Sequence, residues 1–246
     1  MIIALLSDIH ANLPALRACL QHARERGAGQ FVFLGDLVGY GPDPEAVIDA
    51  VRSIPGALIL KGNHDHAVEV EPKSSELNDL AYSTIEWTRT VLSAEQRQFL
   101  ASLPLIVREE DRCFVHASAS QPQDWEYVQD SIAARESMDA AKAQYVFSGH
   151  VHDQTLYFRT QPQRTSSFKP VSGSTVPVPS RHQWLAIVGS VGQPRDGNPA
   201  AAYALFDETH QTLTFFRVPY DHLATARKIR AVGLPEVFAE RIERAF

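Results

Sequence analysis

The sequence predicts an α/β fold, and two observations carry that prediction. Apolar runs of strand length alternate with helix-period segments three times before Asp65, the pattern of βαβ units. Those three runs and two later ones stop directly at Asp, Asn or His, and in open α/β sheets the carboxyl ends of strands form the ligand crevice.

Residues 2–6 are a continuous apolar run ending at Ser7-Asp8, as expected of a strand covered on both faces. Asn12 is placed to cap a helix whose Leu13, Leu16, Leu20 and Ala23 fall at helical spacing, with Gly27 past its end. Residues 31–34 form the second strand, ending at Gly35-Asp36. Pro44 opens the next helix, with Val47, Ile48 and Val51 inward. Residues 57–60 are the third strand, ending at Gly62-Asn63-His64-Asp65.

Helical patterns fill 76–92 and 94–103, the second with a capping box of Ser93 and Gln96. Residues 105–107 and 113–116 read as a hairpin turning at Glu109-Glu110-Asp111, and 131–142 as a helix. A buried strand, 145–148, runs into Gly149-His150-Val151-His152. The last third is richer in strands, at 155–159, 184–188, 201–206 and 212–218. Between the first two lies a polar insertion, 160–183, with four prolines, and a helical segment, 222–246, closes the chain.

At 246 residues, 44% hydrophobic and 21% charged, the chain is read as a single domain over 1–246, since no Gly/Ser- or Pro-rich linker divides it. A net charge of -6 argues against stable nucleic-acid binding. It leaves room for a small phosphate-ester substrate, because bound cations change the local charge. Cys19 and Cys113 read as buried thiols. The apolar N-terminus is too short for a signal segment and no window reaches the length of a membrane span, so the cytoplasm is the expected location. The oligomeric state is left open.

The five strand ends present Asp8 and His10; Asp36; Asn63, His64 and Asp65; His116; and His150 and His152. Imidazole, carboxylate and amide donors without thiolate suit Mn, Fe, Zn, Ni or Mg rather than a structural thiolate site. In Asp8-Ile9-His10 and again in His150-Val151-His152, an extended backbone would point both side chains the same way. With Asp36, Asn63 and His116 this makes seven potential ligands, too many for one four-coordinate ion and suited to two divalent ions sharing a carboxylate. Any one of these residues alone is an ordinary turn or core residue. Their conjunction at successive strand ends points to a metal centre.

The blocks Asp8-x-His10, Gly35-Asp36 followed by Gly39 and Gly41, Gly62-Asn63-His64-Asp65, Val115-His116 and Gly149-His150-x-His152 resemble, in order, the signature of calcineurin-like metallophosphoesterases. The runs Gly35-Asp36-Leu37-Val38-Gly39-Tyr40-Gly41-Pro42 and Gly189-Ser190-Val191-Gly192-Gln193-Pro194-Arg195-Asp196 resemble its compact bacterial and archaeal phosphodiesterase branch. The resemblance implies a four-layer αββα sandwich with two ions at the strand ends, manganese favoured. One ion would take Asp8, His10 and His152, the other Asn63, His116 and His150, with Asp36 bridging. His64 would face the substrate rather than a metal, as general acid or charge stabiliser, with Asp65 orienting it and favouring its charged form.

The reaction so implied is in-line attack of a metal-bound hydroxide on a phosphodiester. Monoester or phosphoprotein hydrolysis and cleavage of dinucleoside polyphosphates are the alternatives within the class. A non-catalytic scaffold, as in a retromer subunit of the same superfamily, is the alternative outside it. Retention of every ligand type and of His64 argues for the enzyme. Arg195 is a further substrate-binding candidate, since a guanidinium fork matches phosphate; pairing with Asp196 is the competing reading. The 160–183 insertion is read either as a substrate lid or as a solvated hairpin. His66 is read as a surface residue, and His22, His182, His210 and His222 fall outside the blocks.

Overall fold

The computed structural model describes residues 1–70, 79–161 and 164–246. Its layering follows from alternation along the central strands. In β1 (Ile2–Leu6), Ile3 and Leu5 pack with Phe147, Ala186, Phe206 and Phe215 between two sheets. Ala4 and Leu6 point the other way, onto Leu16, Cys19 and Leu20 of α1 (Leu13–Glu25). A strand so placed has no polar face to offer water, which is why its sequence is unbroken apolar.

The first sheet takes β2 (Gln30–Phe33) and β3 (Leu58–Ile59) parallel to β1 on one side; on the other, β11 (Ala201–Asp207) pairs antiparallel with β1 and β12 (Thr212–Val218) antiparallel with β11. Helices α1 and α2 (Pro44–Arg52) cover its outer face. The second sheet is built on β5 (Arg112–Val115), β6 (Tyr145–Ser148) and β10 (Gln183–Ile187), mutually parallel, with β4 (Ile106–Glu109) and β7 (Thr155–Gln161) antiparallel beside them. Helix α6 (Ser131–Ala141) covers that sheet through Ala134, Met138 and Ala141. Helix, sheet, sheet, helix is the expected four-layer order.

Short helices carry the chain across the rim: α3 (Asn63–Glu69), α4 (Asp79–Val91) and α5 (Ala94–Ser102), the last with its capping box formed as expected. Residues 76–78 of the expected 76–92 helix, and Pro162, lie outside the described residues. The 160–183 insertion resolves into sheet structure. β7 continues to Gln161 and pairs with β8 (Arg164–Phe168), and β9 (Thr175–Pro177) crosses to pair with β12 at the edge of the first sheet. The hairpin reading therefore holds for its first half. None of its described residues lines the pocket described below.

Helices α7 (His222–Ala231) and α8 (Glu236–Arg244) pack on each other and, through Ile229, Leu234, Phe238 and Ile242, against Tyr40 and Ala81. Cys19 and Cys113 are free and buried. No helix among the described residues is long and apolar enough to cross a membrane.

Candidate metal centre

The parallel strands β1, β2 and β3 of one sheet and β5, β6 and β10 of the other end on the same side of the molecule. Their following loops are sewn together by backbone hydrogen bonds. Asp8 N donates to Gly35 O (3.1 Å), His10 N to Asp36 O (2.9 Å), Val191 N to Ser7 O (2.9 Å) and Gly192 N to Asp8 O (2.9 Å). Ser190 Oγ donates to Asp8 O (2.8 Å) and accepts from Gln193 N (2.8 Å). The Gly189-Ser190 loop thus joins the two sheets at their carboxyl ends, and all seven candidate ligands are buried there.

The backbone in these loops corrects one expectation. Asp8 and His10 are not extended but left-handed, at φ 53° and 47°; Asp36 (54°), His150 (66°) and His152 (66°) share that conformation. Non-glycine residues in this region are uncommon, and such strain concentrates at functional sites, at about 1–3 kcal/mol each. The paired side chains converge because the loops curl, not because a strand alternates. Gly39 (φ 84°) is obligatory twice over, since a methyl there would also overlap His64 Nδ1.

The donors form two groups. Asp8 Oδ1 lies 3.2 Å from His152 Nε2, which lies 3.1 Å from His10 Nε2. His116 Nε2 lies 3.2 Å from both Asn63 Oδ1 and His150 Nδ1. Asp36 Oδ2 stands between them, 3.7 Å from His10 Nε2 and 3.4 Å from His116 Nε2. Asp8, His10 and His152 form one cluster of metal-capable donors and Asp36, His116 and His150 a second, and His64 forms a third with His10 and Asp36, so the ring that the resemblance turns toward the substrate also lies within reach of the metal-capable groups.

Three imidazoles have their tautomer set by a backbone carbonyl. Nδ1 of His10, His116 and His152 donates to Val38 O (3.2 Å), Leu34 O (2.9 Å) and Gln193 O (2.6 Å). Each neutral ring therefore turns an Nε2 lone pair inward, the arrangement that orients metal-ligating histidine. His10 Nε2 and His152 Nε2 then face each other as two acceptors, and Asp8 Oδ1 is buried without a hydrogen-bond donor. Acceptor facing acceptor is unfavourable unless a cation lies between, so the residues present fit divalent metal.

Burial is the largest influence on the rings. It holds His10 well below its ordinary value and lowers His150 to about 3, both toward the neutral ligand form. Burial also works against His116, but the Asp36 carboxylate outweighs it and raises His116 to about 9. Asp36 itself, raised by burial, is brought well below the usual carboxylate range by His116 and His64.

His64, at the start of α3, lines a cavity of about 130 Å³ beside both groups, with Asp36, Asn63, His150 and His152. Its backbone N donates to Asp36 Oδ1 (2.9 Å), and its Nδ1 is buried without a hydrogen-bond partner. Asp65 is not hydrogen-bonded to the His64 ring. Its carboxylate accepts instead from Leu37 N (2.9 Å), Val38 N (3.3 Å) and Gly62 N (3.0 Å), pinning the Asp36 loop to the start of α3. Burial lowers His64 to about 4, with Asp36 opposing, so Asp65 does not hold this ring charged as the sequence suggests.

The cavity also contains residues that sequence reasoning passes over: Tyr40, Tyr127 and Arg241. Tyr127 stacks on His150 with ring centroids 4.0 Å apart. No motif marks Tyr127 or Arg241, whereas Tyr40 sits inside the glycine-rich run after Asp36. Arg195 is in the cavity as expected and is not paired with Asp196, which binds Arg217 at 2.8 Å. His66 is half-buried, its ring 5.9 Å from that of Trp125, and does not line the cavity.

Residues 1–211 match the family model for the calcineurin-like phosphoesterase superfamily domain. The chain is 34% identical over 245 residues to an uncharacterized protein of Methanocaldococcus jannaschii, covering 98% of this chain and 96% of that one. The crystal structure of a metallophosphoesterase from Sphaerobacter thermophilus superposes with a TM-score of 0.88 at 34% identity, over 100% of this chain and 99% of that one. A symmetrical bis(5'-nucleosyl)-tetraphosphatase of Pectobacterium atrosepticum is 32% identical over 147 residues, 54% of this chain and 48% of that protein.

Proposed function

The chain belongs to the calcineurin-like phosphoesterase superfamily, and from that premise we propose that it hydrolyses a phosphodiester with the help of two divalent metal ions. One observation supports this above the others: two buried groups of nitrogen and oxygen donors share a single carboxylate oxygen, Asp36 Oδ2. Asp8, His10 and His152 would hold one ion, Asn63, His116 and His150 the other, with Asp36 common to both. Such ions, manganese being the favoured one, supply a hydroxide near neutral pH and neutralise charge on the phosphoryl oxygens.

The chain's own residues do the rest. Asp8 and Asp36 are the carboxylates among the seven ligands, so two divalent ions would leave the site positive and attractive to an anionic ester. The carbonyls of Val38, Leu34 and Gln193 keep three Nε2 lone pairs aimed inward. His64 borders the substrate cavity and is proposed to donate its ring proton to the leaving oxygen, an effect of about 10²–10⁴ in rate. The negative charge of a bound ester raises the pKa of this ring toward the form that can donate. Asp65 acts as a positioning residue, through the backbone it holds. The diester preference rests on the Gly35–Pro42 and Gly189–Asp196 runs; the related tetraphosphatase makes a phosphoanhydride the second reading.

The test is a metal-reconstituted assay, with manganese and nickel among the ions, on p-nitrophenyl phosphate, bis(p-nitrophenyl) phosphate and a dinucleoside tetraphosphate. The diester is expected to be turned over faster than the monoester. Monoester turnover far above diester turnover would reassign the substrate, and no metal-dependent hydrolysis across the panel would make the protein a scaffold. Asp36→Asn is expected to lose metal and activity together. His64→Ala is expected to keep its metals and lose turnover; unchanged turnover would remove the role given to His64.

A further inference from the structure

Several arginines in this protein are paired with acids. Arg217 has Asp196, Arg159 has Asp139, and Arg230 has both Glu236 and Glu243. Arg195 and Arg241 are different. They approach the candidate metal cavity from separate elements, the loop after β10 and helix α8, and neither has a carboxylate partner among the described residues. The Nε of each is buried without an acceptor. Arg195 Nη2 donates to the amide oxygen of Gln193 at 3.3 Å, its guanidinium also meets the Tyr127 hydroxyl, and Arg241 lies 5.6 Å from the centroid of the Phe238 ring. Asp79 borders an adjoining hollow with Arg241 but forms no ion pair with it.

Two guanidiniums beside one cavity repel each other. Burial first, and then the Arg195 charge, pulls Arg241 below its ordinary value. Leaving buried donors unmet and like charges together costs stability, and an anion between them removes both costs. The metal ligands cannot be that anion, because Asp8 and Asp36 face the imidazoles. Arg241 also lies beyond residues 1–211, the extent of the superfamily match, on helix α8.

We propose that Arg195 and Arg241 form a second anion subsite that holds a phosphate group of the substrate other than the one being cleaved. The substrate is then an ester whose scissile phosphate has another phosphate next to it, as in a phosphoanhydride chain. This deepens the reading of the adjoining cluster as the ester-cleaving site and rests on it. Arg195, on the loop that also carries Gln193, lies between the metal cluster and Arg241 in function; Arg241 is the residue that selects for the extra phosphate.

AMP and ADP differ by one phosphate and make the test direct. Both are used as competitive inhibitors of bis(p-nitrophenyl) phosphate hydrolysis by the manganese-loaded enzyme, with free metal held constant. ADP is expected to bind the native enzyme about 10- to 100-fold more tightly than AMP, the range for a charged hydrogen bond. Arg241→Met should bring that ratio close to one. Arg241→Lys should keep part of it, since the charge stays and the fork is lost. It also serves if Arg241→Met fails to fold. An ADP-to-AMP ratio near one in the native enzyme, or an unchanged ratio in both variants, overturns the subsite. If the native protein hydrolyses no ester with any metal, the proposed function fails instead. Calorimetric binding of AMP and ADP to the same three proteins then still decides the subsite.

Discussion

Asp65 shows how a single side chain can be legible as important while its task is not. Its place in Gly62-Asn63-His64-Asp65 marks it, but the acceptors it meets are backbone amides of Leu37, Val38 and Gly62, which no side-chain pattern records. Asp65→Ala should therefore destabilise the fold by about 1–3 kcal/mol for the amides left unmet, measured by urea denaturation. A variant as stable as the parent with altered turnover would restore Asp65 to orienting His64. All seven candidate ligands could be picked out in the sequence because each is a metal-capable side chain at the end of an apolar run. The carbonyls of Leu34, Val38 and Gln193 could not, because every residue has one and only the fold says which is used. Left-handed backbone at Asp8, His10, Asp36, His150 and His152 is equally hidden, since glycine usually announces it and here does not.

Among the elements, apolar strands and capped helices were readable and polar strands were not. β1 begins and ends where its apolar run does, and α1 starts at its Asn12 cap. β8 and β9 lie in a polar, proline-containing stretch, and β9 exists only because β12 offers it an edge to pair with. Helix α8 was visible as a helix but not as a wall of the cavity. Phe238 docks it, packing against Tyr40 with ring centroids 4.9 Å apart. Phe238→Ala is expected to cost about 3–5 kcal/mol where the cavity cannot collapse, and to loosen Arg241 with it. Thermal unfolding and the ADP-to-AMP ratio together measure that outcome. Between α1 and β11, His22 Nδ1 meets the Tyr203 hydroxyl at 2.6 Å, and burial, then Arg26, lowers the His22 pKa. The sign is that of a group kept neutral by folding: its contribution is whole above the unfolded pKa of about 6.5 and is lost as pH falls below it. His22→Gln should unfold less steeply with acid between about pH 7 and 5, and an unchanged acid limb in Tm against pH would count against this.

For the whole molecule, the α/β class was evident from strand and helix alternation, but the stacking of two sheets came from family resemblance. Face-to-face packing leaves only continuous apolar runs in the sequence, and those do not say which strands share a sheet. The chain is expected to unfold as one unit, in a single calorimetric transition. Manganese should raise its midpoint, since a ligand at about 100 times its dissociation constant adds about 2.7 kcal/mol. Two separated transitions, or a midpoint indifferent to chelator, would contradict these outcomes. The seam between Ser190 and Asp8 joins residues 182 positions apart, and it carries a consequence in time. Asp8, His10, Asp36 and Asn63 leave the ribosome well before His116, His150 and His152, so a nascent chain displays both acids before it has three of the four candidate imidazoles. Contacts of such long sequence separation form late. Metal capture would accordingly be the last act of folding, and the rate at which a refolding chain takes up a divalent ion is expected to report the closing of the two sheets.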